Sequence, residues 1–132
     1  MLKTLKSLAA IALAALVAIA PLPAAAADPV ASGTFTGASD HITTGGVEII
    51  KNDDGSHTIV LAADFSLDGA PDPRVGLGKN GFYDGNTDAG VLGNLTGAQS
   101  FVVPAGVDVS AFNEVYIWCE KFSVPLGVAK LN

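Results

Sequence analysis

The chain has 132 residues, 49% of them hydrophobic, and carries 13 acidic against 7 basic side chains for a net charge of −6. That is one domain's worth of chain, and its negative surface repels nucleic acid and anionic lipid. The acidic residues are scattered rather than gathered into a tail, the pattern of a solubilising surface. Residues 1–27 read as a secretory signal peptide. Lys3 and Lys6 make a short positive region, Leu8 to Ala20 is an unbroken apolar run, Pro21 and Pro23 interrupt it, and Ala25-Ala26-Ala27 form a small-residue cleavage site before Asp28. The run is shorter than the roughly 20 residues a membrane span needs, and no later stretch approaches that length. The expected product is therefore an exported single domain of residues 28–132, periplasmic or extracellular, with no membrane span. Loss of the 27-residue leader leaves 105 residues with 5 basic and 13 acidic side chains, a charge of −8. A domain of that size buries roughly 65% of its unfolded surface, enough for one core.

Along that domain, Ala31 to Ala38 is weakly strand-like around Phe35, and His41 to Gly46 is a loop. Val47-Glu48-Ile49-Ile50-Lys51 and His57-Thr58-Ile59-Val60-Leu61-Ala62 are strands joined through Asn52-Asp53-Asp54-Gly55-Ser56, whose residues tolerate a tight turn. This is the clearest hairpin in the sequence. Asp64 to Pro73 is loop-rich, Arg74 to Leu77 is a brief strand, and Gly78 to Gly90, polar and glycine-rich without apolar period, is expected as a long surface loop. Ser100 to Val103 is a strand closed by Pro104, and Asp108 to Asn113 makes one helical or irregular turn. Two strands finish the chain, Val115 to Cys119 and Phe122 to Lys130. Sustained helical stripes are absent, and Pro and Gly recur at about ten-residue intervals, which predicts an all-β fold, an antiparallel β-sandwich or barrel of seven to nine short strands.

The stretch Val115-Tyr116-Ile117-Trp118-Cys119 holds the only tryptophan and the only cysteine. Strand alternation puts Tyr116 and Trp118 on one face and Val115, Ile117 and Cys119 on the other. Both faces are apolar, so the strand is expected to be central and covered twice, with Cys119 at the polar edge of the core. A lone cysteine in an oxidising compartment is inert and buried, paired with another chain, or kept for its reactivity. Glu120 beside it opposes a thiolate and Lys121 favours one. Trp118 serves as core or stacks against a bound group. His41 serves as a polar partner to the thiol or as a loop histidine bonded to backbone; His57, next to the hairpin turn, is expected to be exposed.

Asp84, Asn86 and Asp88 reproduce the first three ligand positions of a calcium loop. The match stops there, because Ala89 stands where glycine is required and Leu95 where a bidentate glutamate belongs. Hydrolase constellations, phosphate-cradling loops and zinc spacings are absent, which argues against an isolated enzyme.

One ordered set of residues carries a resemblance. It comprises Gly33, His41, Gly45-Gly46, Asp64-Phe65-Ser66, Ala70-Pro71-Asp72-x-x-Val75-x-Leu77, Leu92-Gly93-x-Leu95-x-Gly97-x-Gln99, Val103-Pro104 and Ile117-Trp118-Cys119-x-x-Phe122-x-Val124-x-x-Gly127-x-Ala129-x-Leu131. From about Ser32 to Leu131 the chain resembles the DM-thirteen, or electron transfer DM, domain family in its stand-alone bacterial exported form. The resemblance implies a β-rich extracytoplasmic domain with a redox role. In that role Cys119 is a free thiol or the ligand of a prosthetic group such as haem, His41 a less firm second ligand, and a separate protein the redox partner. Any haem is non-covalent, since the Cys-x-x-Cys-His attachment motif is missing and the mature domain has no methionine to serve as axial ligand. Without a Cys-x-x-Cys pair, thiol exchange needs a second protein to resolve it. The passage Phe82 to Gly90 departs from the family pattern as a loop extension. The competing reading is a non-enzymatic structural or interaction domain in which Cys119 is packing.

Overall fold

Apolar side chains at alternate positions build strands with one buried face, and the hairpin of Val47 to Leu61 shows the pattern. Val47, Ile49, Ile59 and Leu61 are at most 1% exposed while Glu48 is exposed and Val60 only partly covered. The computed structural model describes residues 28–132; the leader expected over residues 1–27 lies outside the described residues. Ten strands follow in order: β1 (Pro29–Gly37), β2 (Thr43–Thr44), β3 (Gly46–Lys51), β4 (His57–Leu61), β5 (Ser66–Leu67), β6 (Pro73–Lys79), β7 (Phe82–Asp84), β8 (Gln99–Val102), β9 (Glu114–Cys119) and β10 (Val124–Lys130). Eight of them form one antiparallel sheet in the order β7-β6-β9-β10-β1-β3-β4-β8, and β2 pairs with β5 as a separate two-stranded piece. The large sheet curls into a half-barrel. The all-β expectation holds, with eight strands in the main sheet.

β1 joins two groups of strands. Its first half pairs with β3 from Pro29↔Ile50 to Thr34↔Gly46, and its last residues pair with β10 from Phe35↔Ala129 to Gly37↔Gly127. Inside the curl, Val75 and Leu77 of β6, Val115, Ile117 and Cys119 of β9 and Leu126 and Ala129 of β10 meet the β3–β4 residues. Phe35 and Phe65 add an edge-to-face pair with ring centres 5.5 Å apart. Each aliphatic side chain so buried contributes about 1.5–3 kcal/mol.

Three loop expectations need correction. The segment Gly78 to Gly90 is not a surface loop. β6 runs on to Lys79 and turns back through Asn80 (φ 51°) and Gly81 (φ 90°) into β7, with Lys79 opposite Phe82. Two successive positive φ values make this a type I′ hairpin, for which Asn-Gly is the preferred pair. A 3-10 turn, Gly85–Thr87, follows, and its Thr87 is 1% exposed, donating to the Leu77 carbonyl and accepting from the Leu77 amide. The expected loops at His41 to Gly46 and Asp64 to Pro73 contain β2 and β5, which pair Thr43 with Leu67. Thr43 is held there by tertiary contacts, since its hydroxyl donates to the Leu126 carbonyl and its methyl lies over Gly127. A β-bulge between Pro125 and Gly127 frees that carbonyl from the β9–β10 ladder.

Candidate functional site

β9 is an interior strand of the sheet, flanked by β6 and β10. Its pleat sends Val115, Ile117 and Cys119 into the core and Glu114, Tyr116 and Trp118 to the outer face. Cys119, opposite Pro73 on β6 and Val124 on β10, is a free thiol only 1% exposed. It is thus a full member of the core rather than a residue at its edge. The chain regains polarity immediately afterwards, in the turn Glu120 to Ser123, where Ser123 sits at φ 53° and Phe122 is exposed.

The second cover on β9 comes from β7. Trp118 is half-buried beneath Tyr83, their rings stacked 4.5 Å apart at 19°, and Tyr83 meets Tyr116 at 5.7 Å and 54°. Glycine on β6 makes room for this. A Cβ at Gly76 would lie 2.8 Å from the Tyr83 ring, and one at Gly78 would collide with the Tyr116 ring. The Tyr116 hydroxyl, 3.5 Å from Oε1 of Glu114, donates to that carboxylate, which also accepts the Gly81 amide at 2.6 Å. The Tyr83 hydroxyl is buried with no hydrogen-bond partner among the described residues. Burial first, and then the Asp88 and Glu120 carboxylates, hold the Tyr83 phenol well above the ordinary tyrosine range; burial and Glu114 raise Tyr116 in the same direction.

His41 follows two non-glycine residues in the left-handed region, Ser39 (φ 54°) and Asp40 (φ 62°). Its Nδ1 lies 2.8 Å from Oδ1 of Asp68, whose other oxygen accepts the Ile42 amide. Those two bonds, the backbone one first, hold the Asp68 carboxyl below the ordinary aspartate range. The structure therefore joins His41 to Asp68, and no hydrogen bond among the described residues joins it to Cys119. His57 is half-buried rather than exposed.

The three calcium-loop positions have separate tasks. Asp84 caps the 3-10 turn by accepting the Asn86 amide, and Asp88 accepts the Gly90 amide and pairs with Arg74 Nη1 at 3.3 Å. Among the described residues no group of three or more His, Cys, Asp or Glu side chains is arranged to hold a metal ion. Strand alternation in the sequence places Tyr116 on the Trp118 face of β9, but nothing in it singles out Tyr83 or Glu114. The signal was the Asn80-Gly81 pair, which announces the hairpin that swings Tyr83 over β9.

A curled antiparallel sheet with a buried thiol on one face of an interior strand and stacked aromatics on the other defines a small β-domain in which the oxidisable side chains are gathered. The Electron transfer DM13 family model matches residues 34–131, and the chain belongs to that family. Comparison with curated proteins and with solved structures gives no significant match.

Proposed function

We propose that this protein is an exported single-domain electron-transfer module whose redox residue is Cys119 and which works with a separate redox partner. The family match over residues 34–131 carries this reading, on a chain with one cysteine. In thiol exchange, the Cys119 thiolate attacks a disulfide of the partner. One S–S bond forms as the other breaks, and the departing sulfur leaves as thiolate. With no second cysteine in this chain, a dithiol on another protein must resolve the mixed disulfide; it is oxidised to a disulfide as the first partner is reduced to its dithiol and the Cys119 thiol is regenerated.

Burial sets the conditions for that chemistry. At 1% exposure the sulfur meets another sulfur only after local opening, and the turn Glu120 to Ser123, with its exposed Phe122 and left-handed Ser123, is the adjoining weak element. A haem does not fit the folded site, because the sulfur is walled in by core side chains and His41 is bonded to Asp68. The same burial favours a second reading, a structural or interaction domain with Cys119 as packing.

A thiol titration under native conditions, with a visible spectrum of protein taken from its own compartment, separates the two. Electron transfer through Cys119 predicts labelling by local opening, much faster than global unfolding allows. A colourless protein whose thiol is labelled only at the global unfolding rate would overturn it and leave the packing role. Export is supported by Lys3, Lys6, the apolar run from Leu8 and Ala25-Ala26-Ala27; amino-terminal sequencing of the exported protein should begin at Asp28.

A further inference from the structure

Tyrosine, tryptophan and cysteine are the side chains most readily oxidised by one electron. This chain has two tyrosines, one tryptophan and one cysteine, and the fold brings all four to one place. Tyr83, Tyr116 and Trp118 form a continuous stack on the outer face of β9, and Cys119 is the next residue on the inner face. Phenylalanine fills the other aromatic positions, including the core pair Phe35 and Phe65. Packing alone does not account for a phenol at position 83, since its hydroxyl is buried without a partner, and such a group is destabilising where a phenyl ring would serve.

We propose that Tyr83, Tyr116 and Trp118 form a one-electron relay, with Trp118 as the surface port and Tyr116 with Glu114 as its proton-coupled terminus. The relay rests on the electron-transfer reading above but makes no use of the Cys119 sulfur. Trp118 is the port because its indole is only partly covered, whereas Tyr116 is 2% exposed. Tyr83 lies between them in ring contact with both. Lacking a proton acceptor, it acts as a bridging ring rather than a resting place for the radical.

The external reactant is a one-electron acceptor, such as an oxidised metal centre on a partner, which takes an electron from Trp118 and leaves an indole radical cation. Tyr116 then gives an electron to Trp118 and its phenolic proton to the Glu114 carboxylate. Neutral Trp118, a Tyr116 phenoxyl radical and a protonated Glu114 result, with charge conserved. A one-electron donor reverses the sequence, the proton returning from Glu114 to the phenolate oxygen as the electron arrives.

Flash-quench photolysis of the purified protein with photogenerated tris(bipyridine)ruthenium(III) tests this, read by transient absorption and by paramagnetic resonance of frozen samples. Decay of the Trp118 radical should produce a tyrosyl radical that disappears in Tyr116→Phe and persists in Tyr83→Phe. In Glu114→Gln, which keeps an oxygen acceptor for the Gly81 amide, tyrosyl formation should slow by about a hundredfold, the lower end of what a positioned proton acceptor contributes. A tyrosyl signal of unchanged yield in Tyr116→Phe, or a Trp118 radical in the native protein that decays without forming one, would overturn the relay. Near-ultraviolet circular dichroism confirms that each variant keeps the fold. Cys119→Ser should leave the tyrosyl signal intact. Loss of the relay alongside rapid native thiol labelling therefore sinks only the relay, and an intact relay with a silent thiol sinks only the Cys119 chemistry.

Discussion

The Tyr83 hydroxyl is a buried donor with no acceptor among the described residues. Tyr83→Phe should therefore raise stability by about 1 kcal/mol in a denaturant titration, since removing an unpaired polar atom removes its desolvation penalty. Cys119→Ser acts in the opposite sense. A hydroxyl in the place of a thiol that is 1% exposed among aliphatic side chains should cost about 1–3 kcal/mol. Alkali tests both phenols together. Their folded values lie above the ordinary 10.0 because burial disfavours the phenolate, so the fold keeps its full stability below that pH and loses it as pH rises beyond it. Phenolate absorbance should accordingly appear together with unfolding rather than before it. Trp118 and Cys119 were legible in the sequence because alternation along a strand fixes which face each takes. Tyr83 and Glu114 were not, because their roles depend on a diagonal approach across β6 that only the register defines.

Among the elements, the β6–β7 hairpin decides whether the aromatic stack exists. Gly78 faces the Tyr116 ring and the Phe82 carbonyl so closely that a methyl group there would collide with both. Gly78→Ala should destabilise the protein by about 1–3 kcal/mol, the usual cost of overpacking, and weaken the near-ultraviolet dichroism of the stacked rings. The expected loop over Gly78 to Gly90 failed for an identifiable reason. β6 carries the alternation of Val75 and Leu77 with glycine on beyond Leu77, and Gly78, read as loop composition, joins Gly76 as the floor of the stack. β2 and β5 were hidden for another reason, being two-residue strands fixed by Thr43 and its bond to Leu126 rather than by any local pattern.

At the scale of the molecule, strand content, antiparallel pairing and the interior position of β9 followed from turn spacing and apolar alternation. Strand order did not, since pairing across long separations leaves no local trace. The loops at the β1 end depend on charge. Asp68, bonded by the Ile42 amide and by His41, titrates below the ordinary 3.8. Its stabilising effect is therefore complete above that pH and lost as pH falls through the lowered value. Asp68→Asn should flatten the acid limb of the stability curve, measured by denaturant titration between about pH 5 and 2.

β1 pairs with β3 through one half of its length and with β10 through the other, and this has a consequence in time. A ribosome-bound chain that has not yet presented Val124–Lys130 offers Phe35, Thr36 and Gly37 no strand to pair with. The two groups of strands cannot be joined until the last strand arrives, and contacts of such sequence separation place folding in the slow, millisecond-to-second class. Strand order thus holds the two groups of strands apart until Val124–Lys130 has been made, so the complete curl closes only at the end of synthesis.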